Sequence, residues 1–441
     1  MGRLFFGGIH TAGRKETTRR KPLMSLEIAP ERVFIPLKMS SGAPAVPIVK
    51  KGSVVKPGQM IAMADGDYST NVYSSISGTV EGIQDIPFPW GGTAPMITIF
   101  NDNKHQSSTC ILSPLNWERL SQEAILERIQ LAGITDMDRE AIPAHWKIRN
   151  ARGRADTLII NAAESDPYVT ADHRILLERG SQILLGAQTL AKVLGVERCV
   201  ITVQGDKLNA MESLEERMGR KEGRVELRLL PTRYPLGNEK QIIQAITNRE
   251  VPPGGSALDV RCVVFNAASV YAISDAIHKG RPMTHRAITV SGGAVNRPRN
   301  LWVPIGTPMK DLIHSAGGFR EQPELMLLGG SMSGTLIPDL SAPVISNTDS
   351  LLCLTEWDRP EARTPSPCIR CGKCVEVCPM HLSPVLIQRA LRDRNVHQLH
   401  RLHPEDCMEC GCCSYICPSK LPLVNIVRNA KIFLEEQEVV M

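Results

Sequence analysis

The segments CIRCGKCVEVCP, residues 368–379, and CMECGCCSYICP, residues 407–418, each place four cysteines at the spacing C-x2-C-x2-C-x3-C and follow the last one with proline. In bacterial two-cluster ferredoxins, three closely spaced thiolates of such a run bind one 4Fe-4S cluster and the fourth binds the other cluster. The repeated pattern therefore predicts two clusters with crossed ligands. The predicted ligands are Cys368, Cys371, Cys374 and Cys417 for cluster 1, and Cys407, Cys410, Cys413 and Cys378 for cluster 2.

A pair of zinc sites is the alternative, because C-x2-C pairs also bind zinc. Zinc sites need neither a third cysteine at the same spacing nor a trailing Cys-Pro, and this chain has both features twice. The pattern therefore favours 4Fe-4S clusters. The other cysteines are predicted not to be ligands: Cys412 as a small residue beside a ligand, and Cys110, Cys199, Cys262 and Cys353 as buried thiols in or beside strands.

The segment between the two motifs has the pattern of a helix. Ser383 is predicted to cap this helix over 383–402, with Pro384 at its first position. Residues 356–441 are therefore predicted to form a linker, 356–367, and an all-helical two-cluster ferredoxin domain.

The two units that precede the linker differ in pattern. Residues 285–355 return to short β runs around one brief helix, which predicts a small β-grasp-like module. Residues 116–284 alternate strands and helices, which predicts an α/β domain with a parallel sheet. Its clearest elements are strands at 157–163 and 198–205, a helix at 180–195, and a strand at 260–269 followed by a helix at 270–280.

Residues 1–115 contain short apolar stretches separated by turn pairs, which predicts a small β unit. The phrase at 50–83, KKGSVVKPGQMIAMADGDYSTNVYSSISGTVEGI, resembles the barrel-sandwich fold of lipoyl and biotinyl carriers. Asp67, Tyr68 and Ser69 stand where a carrier has its lysine at the hairpin tip. The resemblance implies a lysine-free scaffold without a swinging arm, with a modified carrier as the alternative.

Composition narrows the class of protein. The chain has 441 residues, of which 42% are hydrophobic and 22% charged, as in ordinary multidomain globular proteins. A net charge of +5 spread over this length gives no concentrated basic surface, so no nucleic-acid partner is predicted. With no apolar run of 18 residues and no leader pattern, the chain is predicted to be cytosolic and not to span a membrane. The thirteen cysteines then indicate metal binding in a reducing compartment rather than disulfides.

Taken in order, these units resemble the RnfC subunits of Rnf-type ion-translocating oxidoreductase complexes. The resemblance covers nearly the whole chain and implies a multidomain α/β protein. Besides the cysteine motifs, it rests on FFGGIH (5–10), GAPAVPIVKKGSVVKPGQ (42–59), SSISGTV (74–80), NAAESDPYVTADHR (161–174), RYPLGNEKQII (233–243) and PPGG (252–255).

The central domain of that family is similar to the NADH- and flavin-binding subunit of respiratory complex I, whose glycine-rich loop has the form G-L-G-G-A-G-F-P-T-H. Bare glycine backbone lets such a loop approach an anionic cofactor and donate N–H groups to its phosphate. The corresponding stretch here is GITDMDREAIPAHWK, residues 133–147. Asp136, Asp138, Arg139 and Ala141 replace the glycines. Side chains and added negative charge at this loop predict that neither FMN nor NADH binds.

Two further family elements are partly preserved. Residues 161–168, NAAESDPY, stand for a usual N-G-A-E-C-E-P-Y, and a third matching segment includes Tyr234, Gly237 and Glu239. The resemblance implies flavin-contacting roles for Asn161, Glu164, Tyr234 and Glu239 in a degenerate site, with a purely structural role as the alternative.

The resemblance implies an iron-sulfur subunit of a membrane complex that couples electron exchange with ferredoxin to ion movement. The expected partners are other subunits of that complex and ferredoxin or a ferredoxin-like subunit. If the nucleotide site is lost, a cytochrome or membrane-soluble carrier is the candidate second carrier, and the chain would lie peripherally on the cytoplasmic side of the membrane. The alternatives are an FMN-dependent NADH dehydrogenase module and a soluble reductase partner of a cytosolic enzyme.

Overall fold

A computed structural model describes residues 6–104, 117–218, 225–358 and 364–440. Its strands are β1 Leu23–Ser25, β2 Arg32–Pro36, β3 Val46–Pro47, β4 Val54–Val55, β5 Met60–Met63, β6 Val72–Tyr73, β7 Gly78–Pro87, β8 Thr93–Asn101, β9 Thr157–Ala162, β10 Arg198–Gln204, β11 Val225–Leu230, β12 Cys262–Asn266, β13 His285–Ser291, β14 Arg299–Pro304, β15 Leu325–Leu328, β16 Thr335–Leu336 and β17 Ser350–Leu354. Its helices are α1 Gln122–Leu131, α2 Ala144–Ala151, α3 Ala171–Leu194, α4 Leu208–Met218, α5 Glu239–Thr247, α6 Ala267–Lys279, α7 Met309–Ser315, α8 Lys373–Glu376, α9 Pro384–Arg392, α10 Val396–Leu402, α11 Cys412–Ile416 and α12 Leu423–Val440.

The first unit consists of two small antiparallel sheets, ordered β2-β8-β7-β4 and β3-β5-β6. Ile35 of β2 and the consecutive residues 96–99 of β8 are buried, and Ile35 and Ile97 belong to one hydrophobic core. The tip between β5 and β6, where a carrier has its lysine, lies against helix α2 instead. The carbonyl of Asp67 is 2.9 Å from His145 Nε2, its carboxylate is 3.1 Å from Arg149, and Tyr68 packs edge-on against Trp146. The tip is therefore anchored to the next domain.

The α/β domain has a fully parallel sheet of order β11-β10-β9-β12. Helix α3 is kinked at the non-helical residue Arg179, so its second segment, 180–194, agrees with the helix predicted at 180–195, and the segment from Ala171 to the kink was not predicted. One boundary predicted from the sequence is wrong. The strand predicted at 260–269 ends at Asn266, because the Asn266 side chain accepts a hydrogen bond from the backbone N–H of Ala268 and starts α6 there.

The third unit has a six-stranded mixed sheet, β1-β14-β13-β17-β15-β16, with α7 packed on it. Strand β1 comes from the N-terminal region and pairs in parallel with β14. The third unit is therefore tied to the first part of the chain by backbone hydrogen bonds.

The C-terminal unit has helices as its only regular structure in the described range 364–440. The single helix predicted over 383–402 is two helices, α9 and α10. The break occurs where Arg394 adopts a φ of 47° and the Asn395 side chain caps α10 by accepting from the backbone N–H of Gln398. Pro384 is the first residue of α9 as predicted, but the Ser383 side chain makes no capping bond. Within the described parts of the chain, no helix has the length and apolar character needed to cross a membrane.

Candidate iron-sulfur and cofactor sites

The four cysteines predicted to bind cluster 2 surround one small cavity. Cys378 reaches it from the first motif, and Cys407, Cys410 and Cys413 reach it from the second. Its other lining is mostly apolar, with Leu382, Pro384, Val424 and Val427 among the contributors. Burial raises the pKa of the Cys413 thiol to about 12, and the nearby Cys407, Cys410 and Cys378 add to that shift. The fourth cysteine of one motif thus lies with the first three of the other.

Three of the cysteines predicted for cluster 1, Cys368, Cys374 and Cys417, lie near one another. Cys374 and Cys417 are buried together against Leu423. Burial raises the pKa of Cys374, and Cys417 and Cys368 are the neighbouring thiols that raise it further. Cys368 and Cys371 are exposed, so this set of four is open to solvent on one side.

The two motifs share a backbone conformation. The second residue after the first cysteine has a left-handed φ in each, 57° at Arg370 and 55° at Glu409, and its N–H donates to that cysteine's sulfur over 3.4 Å. Gly372 and Gly411 follow with φ values of 78° and 75°. Left-handed turns aim successive N–H groups and sulfurs at one centre, which suits a bound anionic cluster. Eight soft thiolate donors in two sets of four therefore fit two 4Fe-4S clusters, which would supply one-electron transfer.

Cys412 is fully buried beside Ile9 and Tyr234, and it also lines the cavity of the four cysteines predicted to bind cluster 2. A hydrogen bond with Cys412 lowers the pKa of the neighbouring Cys410. Cys199, Cys262 and Cys353 are buried as predicted, and Cys110 lies outside the described residues.

The cluster-binding unit is docked on the α/β domain mainly through the residues around Cys410. The Tyr234 hydroxyl donates to the Cys410 carbonyl over 2.8 Å, and the Gly254 N–H donates to Asp406 over 2.9 Å. The Gly8 N–H donates to the Val377 carbonyl over 2.9 Å. These bonds hold the two cysteine motifs against the loops on either side of α5 and against Gly8.

Removing the Tyr234 hydroxyl should loosen this docking. Tyr234→Phe leaves the Cys410 carbonyl without its donor, and an unmade buried hydrogen bond costs about 1–3 kcal/mol. We expect amides in residues 404–418 to exchange hydrogen about tenfold faster, with little change in 384–402. Tyr415→Phe, at an exposed tyrosine of the same motif, is the control. If the exchange rates of residues 404–418 were the same in Tyr234→Phe and Tyr415→Phe, Tyr234 would have no docking role.

The loop that replaces the family's glycine-rich loop closes on itself. Asp136 N–H donates to the Ile142 carbonyl over 2.7 Å, and Thr135 and Pro143 form an antiparallel bridge. Of the four residues that replace glycines, Ala141 has a positive φ, 50°, and the other three do not. The loop is therefore a hairpin, and its Asp136 side chain is buried.

The Asp136 carboxylate occupies an anion-binding position. It accepts from the backbone N–H of Asn266 at the start of α6 over 3.1 Å, from the Ser269 hydroxyl over 2.7 Å and from Lys147 Nζ over 2.6 Å. Asp136 is 1% exposed. A helix N-terminus with a hydroxyl and an ammonium is the donor set that holds phosphate in many proteins. Here a side chain of the same loop fills it.

Lys147 is surrounded by carboxylates. Besides Asp136, its Nζ lies 3.6 Å from Asp138 and 4.0 Å from Glu239, and it stands over the Phe265 ring. Burial alone would lower the pKa of Lys147, but these three carboxylates hold it above its usual value. Burial, with Asp136 as the nearest like charge, raises the pKa of Asp138 to about 7. The positive charge is already neutralised within the chain.

The residues that the resemblance assigned to flavin contact are all engaged internally. Asn161 Nδ2 donates to the Gly237 carbonyl over 2.8 Å, and Glu164 accepts from the Asp172 N–H over 2.7 Å. Glu239 faces Lys147, and Tyr234 contacts Cys410. Asn161 lies beside Asn266 in the sheet register, whereas Glu164 lies near Lys15 and Lys207. Their flavin-contacting roles stay predictions.

Sequence reasoning missed Asn266 and Ser269 as members of this site. Their signal is the segment FNAAS, residues 265–269, where a buried strand passes directly into a helix. An N-terminus created by such a junction lies at the carboxyl edge of a parallel sheet, where ligands of α/β proteins usually bind.

Four family models match successive parts of the chain. They are described as the RnfC barrel sandwich hybrid domain, residues 3–104, the Nuo51 FMN-binding domain, 129–275, the SLBB domain, 287–336, and the 4Fe-4S dicluster domain, 367–421. These matches confirm the predicted multidomain fold. The exact domain limits of 1–115, 116–284, 285–355 and 356–441 stay predictions.

Curated relatives match most of the chain. The C subunit of the proton-translocating ferredoxin:NAD(+) oxidoreductase complex of Clostridium ljungdahlii is 40% identical, with 88% of this chain and 84% of that protein covered. The C subunit of the Na(+)-translocating ferredoxin:NAD(+) oxidoreductase complex of Acetobacterium woodii is 36% identical over 87% and 86%. The C subunit of the ion-translocating oxidoreductase complex of Rhodobacter capsulatus is 38% identical over 86% and 73%.

Among solved structures, an NAD+-reducing [NiFe]-hydrogenase in the H2-reduced state superposes with a TM-score of 0.50 at 19% identity. The match covers 73% of this chain and 64% of the hydrogenase chain. At this identity the likeness concerns the fold alone.

Proposed function

Because the chain belongs to the RnfC family of Rnf-type ion-translocating oxidoreductase complexes, we propose that it is the iron-sulfur electron-transfer subunit of such a complex and has no working flavin or NADH site of its own. Its relatives are subunits of oxidoreductases, and its C-terminal unit is a 4Fe-4S dicluster domain. The proposal concerns which cofactors this subunit uses.

The observation that carries the proposal is the Asp136 carboxylate at the start of α6. A phosphate bound at this helix N-terminus would use the Asn266 N–H, the Ser269 hydroxyl and Lys147, and Asp136 already accepts from all three. A second anion at this position would meet like-charge repulsion from Asp136, Asp138 and Glu239 around a single lysine. Removal of a buried, hydrogen-bonded carboxylate would be required before a phosphate could enter.

The cysteine geometry supports the assignment of cluster ligands. Cys378 with Cys407, Cys410 and Cys413 would hold cluster 2, and Cys374 and Cys417 with Cys368 and Cys371 would hold cluster 1. The Tyr234 and Gly254 bonds keep the cluster 2 segment on the α/β domain, while the exposed Cys368 and Cys371 leave the cluster 1 segment accessible to a partner protein. Electrons would therefore enter or leave through the cluster 1 side.

Cofactor analysis of the chain reconstituted under anaerobic conditions tests the proposal. We expect about eight iron and eight labile sulfide per chain, the content of two 4Fe-4S clusters. Acid extraction should release no stoichiometric flavin, and NADH should not bleach the cluster absorbance that dithionite bleaches. Stoichiometric zinc with little iron would contradict the cluster assignment. Stoichiometric FMN with rapid NADH-driven bleaching would contradict the absence of a flavin site.

An FMN-dependent NADH dehydrogenase module is the second candidate function. The match of the Nuo51 FMN-binding domain to residues 129–275 favours it, as does the retained Asn161. In this case the loop at 133–142 would have to open and release Asp136 from α6 on binding. The flavin and NADH measurements separate this candidate from the first.

For partners, we propose the other subunits of the membrane complex and ferredoxin or a ferredoxin-like subunit. With no NADH site, a cytochrome or membrane-soluble carrier is the candidate second carrier, and the chain would lie peripherally on the cytoplasmic face. Co-purification with integral membrane subunits tests this placement. Recovery of the chain without them, bound only to a cytosolic enzyme, would favour a soluble reductase partner.

A further inference from the structure

A cavity of about 210 Å3 lies between the α/β domain and the third unit, and its lining includes Met137, the neighbour of Asp136, but neither Asp136 itself nor any of the predicted cluster cysteines. Helices α3 and α6 supply one wall, with Arg179, Tyr271 and Asp275, and strands β13 and β14 supply the other, with His285 and Trp302. Clefts between domains are frequent ligand sites in proteins. Neither the proposed electron transfer nor the matched families assign a role to this one.

Basic side chains outnumber acidic ones in the lining of the cavity. Lys279 pairs with Asp275 over 2.6 Å, and Arg286, which is buried, donates to the Thr348 carbonyl and faces Asp349. Arg179 and Arg281 make no ion pair in the described parts of the chain, and Arg179 Nε is buried without a hydrogen-bond partner there. A buried donor without an acceptor is costly and is usually satisfied by a bound group.

The two unpaired arginines both line the cavity. Both lie near the Tyr271 hydroxyl, where their charges lower its pKa against the larger opposing effect of burial. Arg179 is the single non-helical residue within α3, at φ −127° and ψ 21°. Backbone departures of this kind occur often at ligand-binding positions. Two guanidinium groups without carboxylate partners match a dianion better than a monocarboxylate.

The rest of the cavity is aromatic. Trp302 packs edge-on against Tyr271 with ring centroids 5.5 Å apart and stacks on His285 at 5.8 Å. Burial lowers the pKa of His285 to about 4, so this ring is neutral near pH 7 and adds no charge. Flat apolar surface beside two arginines suits a ligand with an organic part as well as an anionic group.

We propose that this cavity binds a small phosphate monoester, with its phosphate held by Arg179 and Arg281 and its organic part against Tyr271 and Trp302. The volume limits the ligand to a compact metabolite rather than a dinucleotide. Because α3, α6 and two strands of the third unit line the cavity, a bound ligand would link the α/β domain to the third unit.

Titration calorimetry on the cluster-loaded chain tests this site with phenyl phosphate, inorganic phosphate and malonate as probes. We expect saturable binding of phenyl phosphate, weaker binding of inorganic phosphate, and still weaker binding of malonate. Arg281→Gln, at an exposed residue, and Arg179→Gln should each weaken phenyl phosphate binding about tenfold or more, because each removes a charge-assisted hydrogen bond. The affinity of Arg179→Lys for phenyl phosphate should lie between those of Arg179→Gln and the unsubstituted chain, since lysine keeps the positive charge but lacks the planar guanidinium with its paired donors.

Two controls separate the site from general charge effects. Arg154→Gln, at an exposed arginine outside the cavity, should leave the affinity unchanged. Trp302→Leu should weaken the binding of phenyl phosphate but not that of inorganic phosphate, because only phenyl phosphate has a ring that contacts Trp302. Three results would each overturn the proposal. Phenyl phosphate would show no saturable binding, Arg281→Gln would bind it as tightly as the unsubstituted chain does, or malonate would bind as tightly as phenyl phosphate.

Discussion

Replacing Cys378 with serine should remove cluster 2, although Cys378 belongs to the first motif. Its side chain shares a cavity with Cys407, Cys410 and Cys413. A serine hydroxyl is a poor substitute for a thiolate in Fe-S ligation. We expect iron to fall from about eight to about four per chain, with the cluster 1 signal retained in electron paramagnetic resonance of the reduced protein.

The matched variants show which cluster is lost. Cys378→Ser should give the spectrum of Cys407→Ser, which lacks a ligand from the second motif, and should differ from Cys371→Ser. Cys412→Ser, at a buried cysteine outside both predicted sets, should keep about eight iron. If the Cys378→Ser spectrum instead matched that of Cys371→Ser, each motif would hold its own cluster and the crossed assignment would be wrong.

Replacing Asp136 with alanine should destabilise the α/β domain and create a site for a free anion. The change removes the carboxylate that Asn266, Ser269 and Lys147 contact, and it leaves a buried ammonium with weaker partners. Because Asp138 and Glu239 still face Lys147, we expect a loss of about 2–3 kcal/mol, below the range for a fully isolated buried charge. In a domain of this size that corresponds to a thermal midpoint lowered by about 4–12 °C.

Inorganic phosphate should restore part of that loss in Asp136→Ala and have little effect on the unsubstituted chain. The reason is that the helix N-terminus, hydroxyl and ammonium remain in place and become accessible to an external anion. Asp138→Asn is the control, since Asp138 faces Lys147 from a more exposed position and does not contact α6. A midpoint that phosphate does not raise, or an equal loss in Asp138→Asn, would show that Asp136 does not occupy an anion site.

The amino-acid sequence by itself determined the features that depend on neighbours along the chain. The eight cysteines could be predicted as cluster ligands because the C-x2-C-x2-C-x3-C-P spacing is a local pattern, and both motifs adopt the same left-handed turns at Arg370 and Glu409. The strands at 157 and 198 were predicted to within a residue or two, since a buried parallel strand is a short continuous apolar run. The four substitutions in the glycine loop could be read directly, together with the charge they add.

The predicted ends of helices and strands were less accurate where a capping side chain determines the end. Asn266 and Asn395 each start a helix by capping it, and both helices therefore begin where periodicity alone does not place them. Periodicity reports which face of an element is buried, but a cap depends on a single hydrogen bond.

Only the tertiary structure decided what the charged loop does and what holds the clusters in place. Asp136 is 130 residues from Asn266, and Tyr234 is 176 residues from Cys410. Whether such side chains meet depends on how the sheet, helices and cluster-binding unit pack, and no local pattern encodes that distance. The sequence therefore predicted an altered cofactor loop, whereas only the folded chain shows that this loop brings the Asp136 carboxylate to the N-terminus of α6, because packing joins the two segments there.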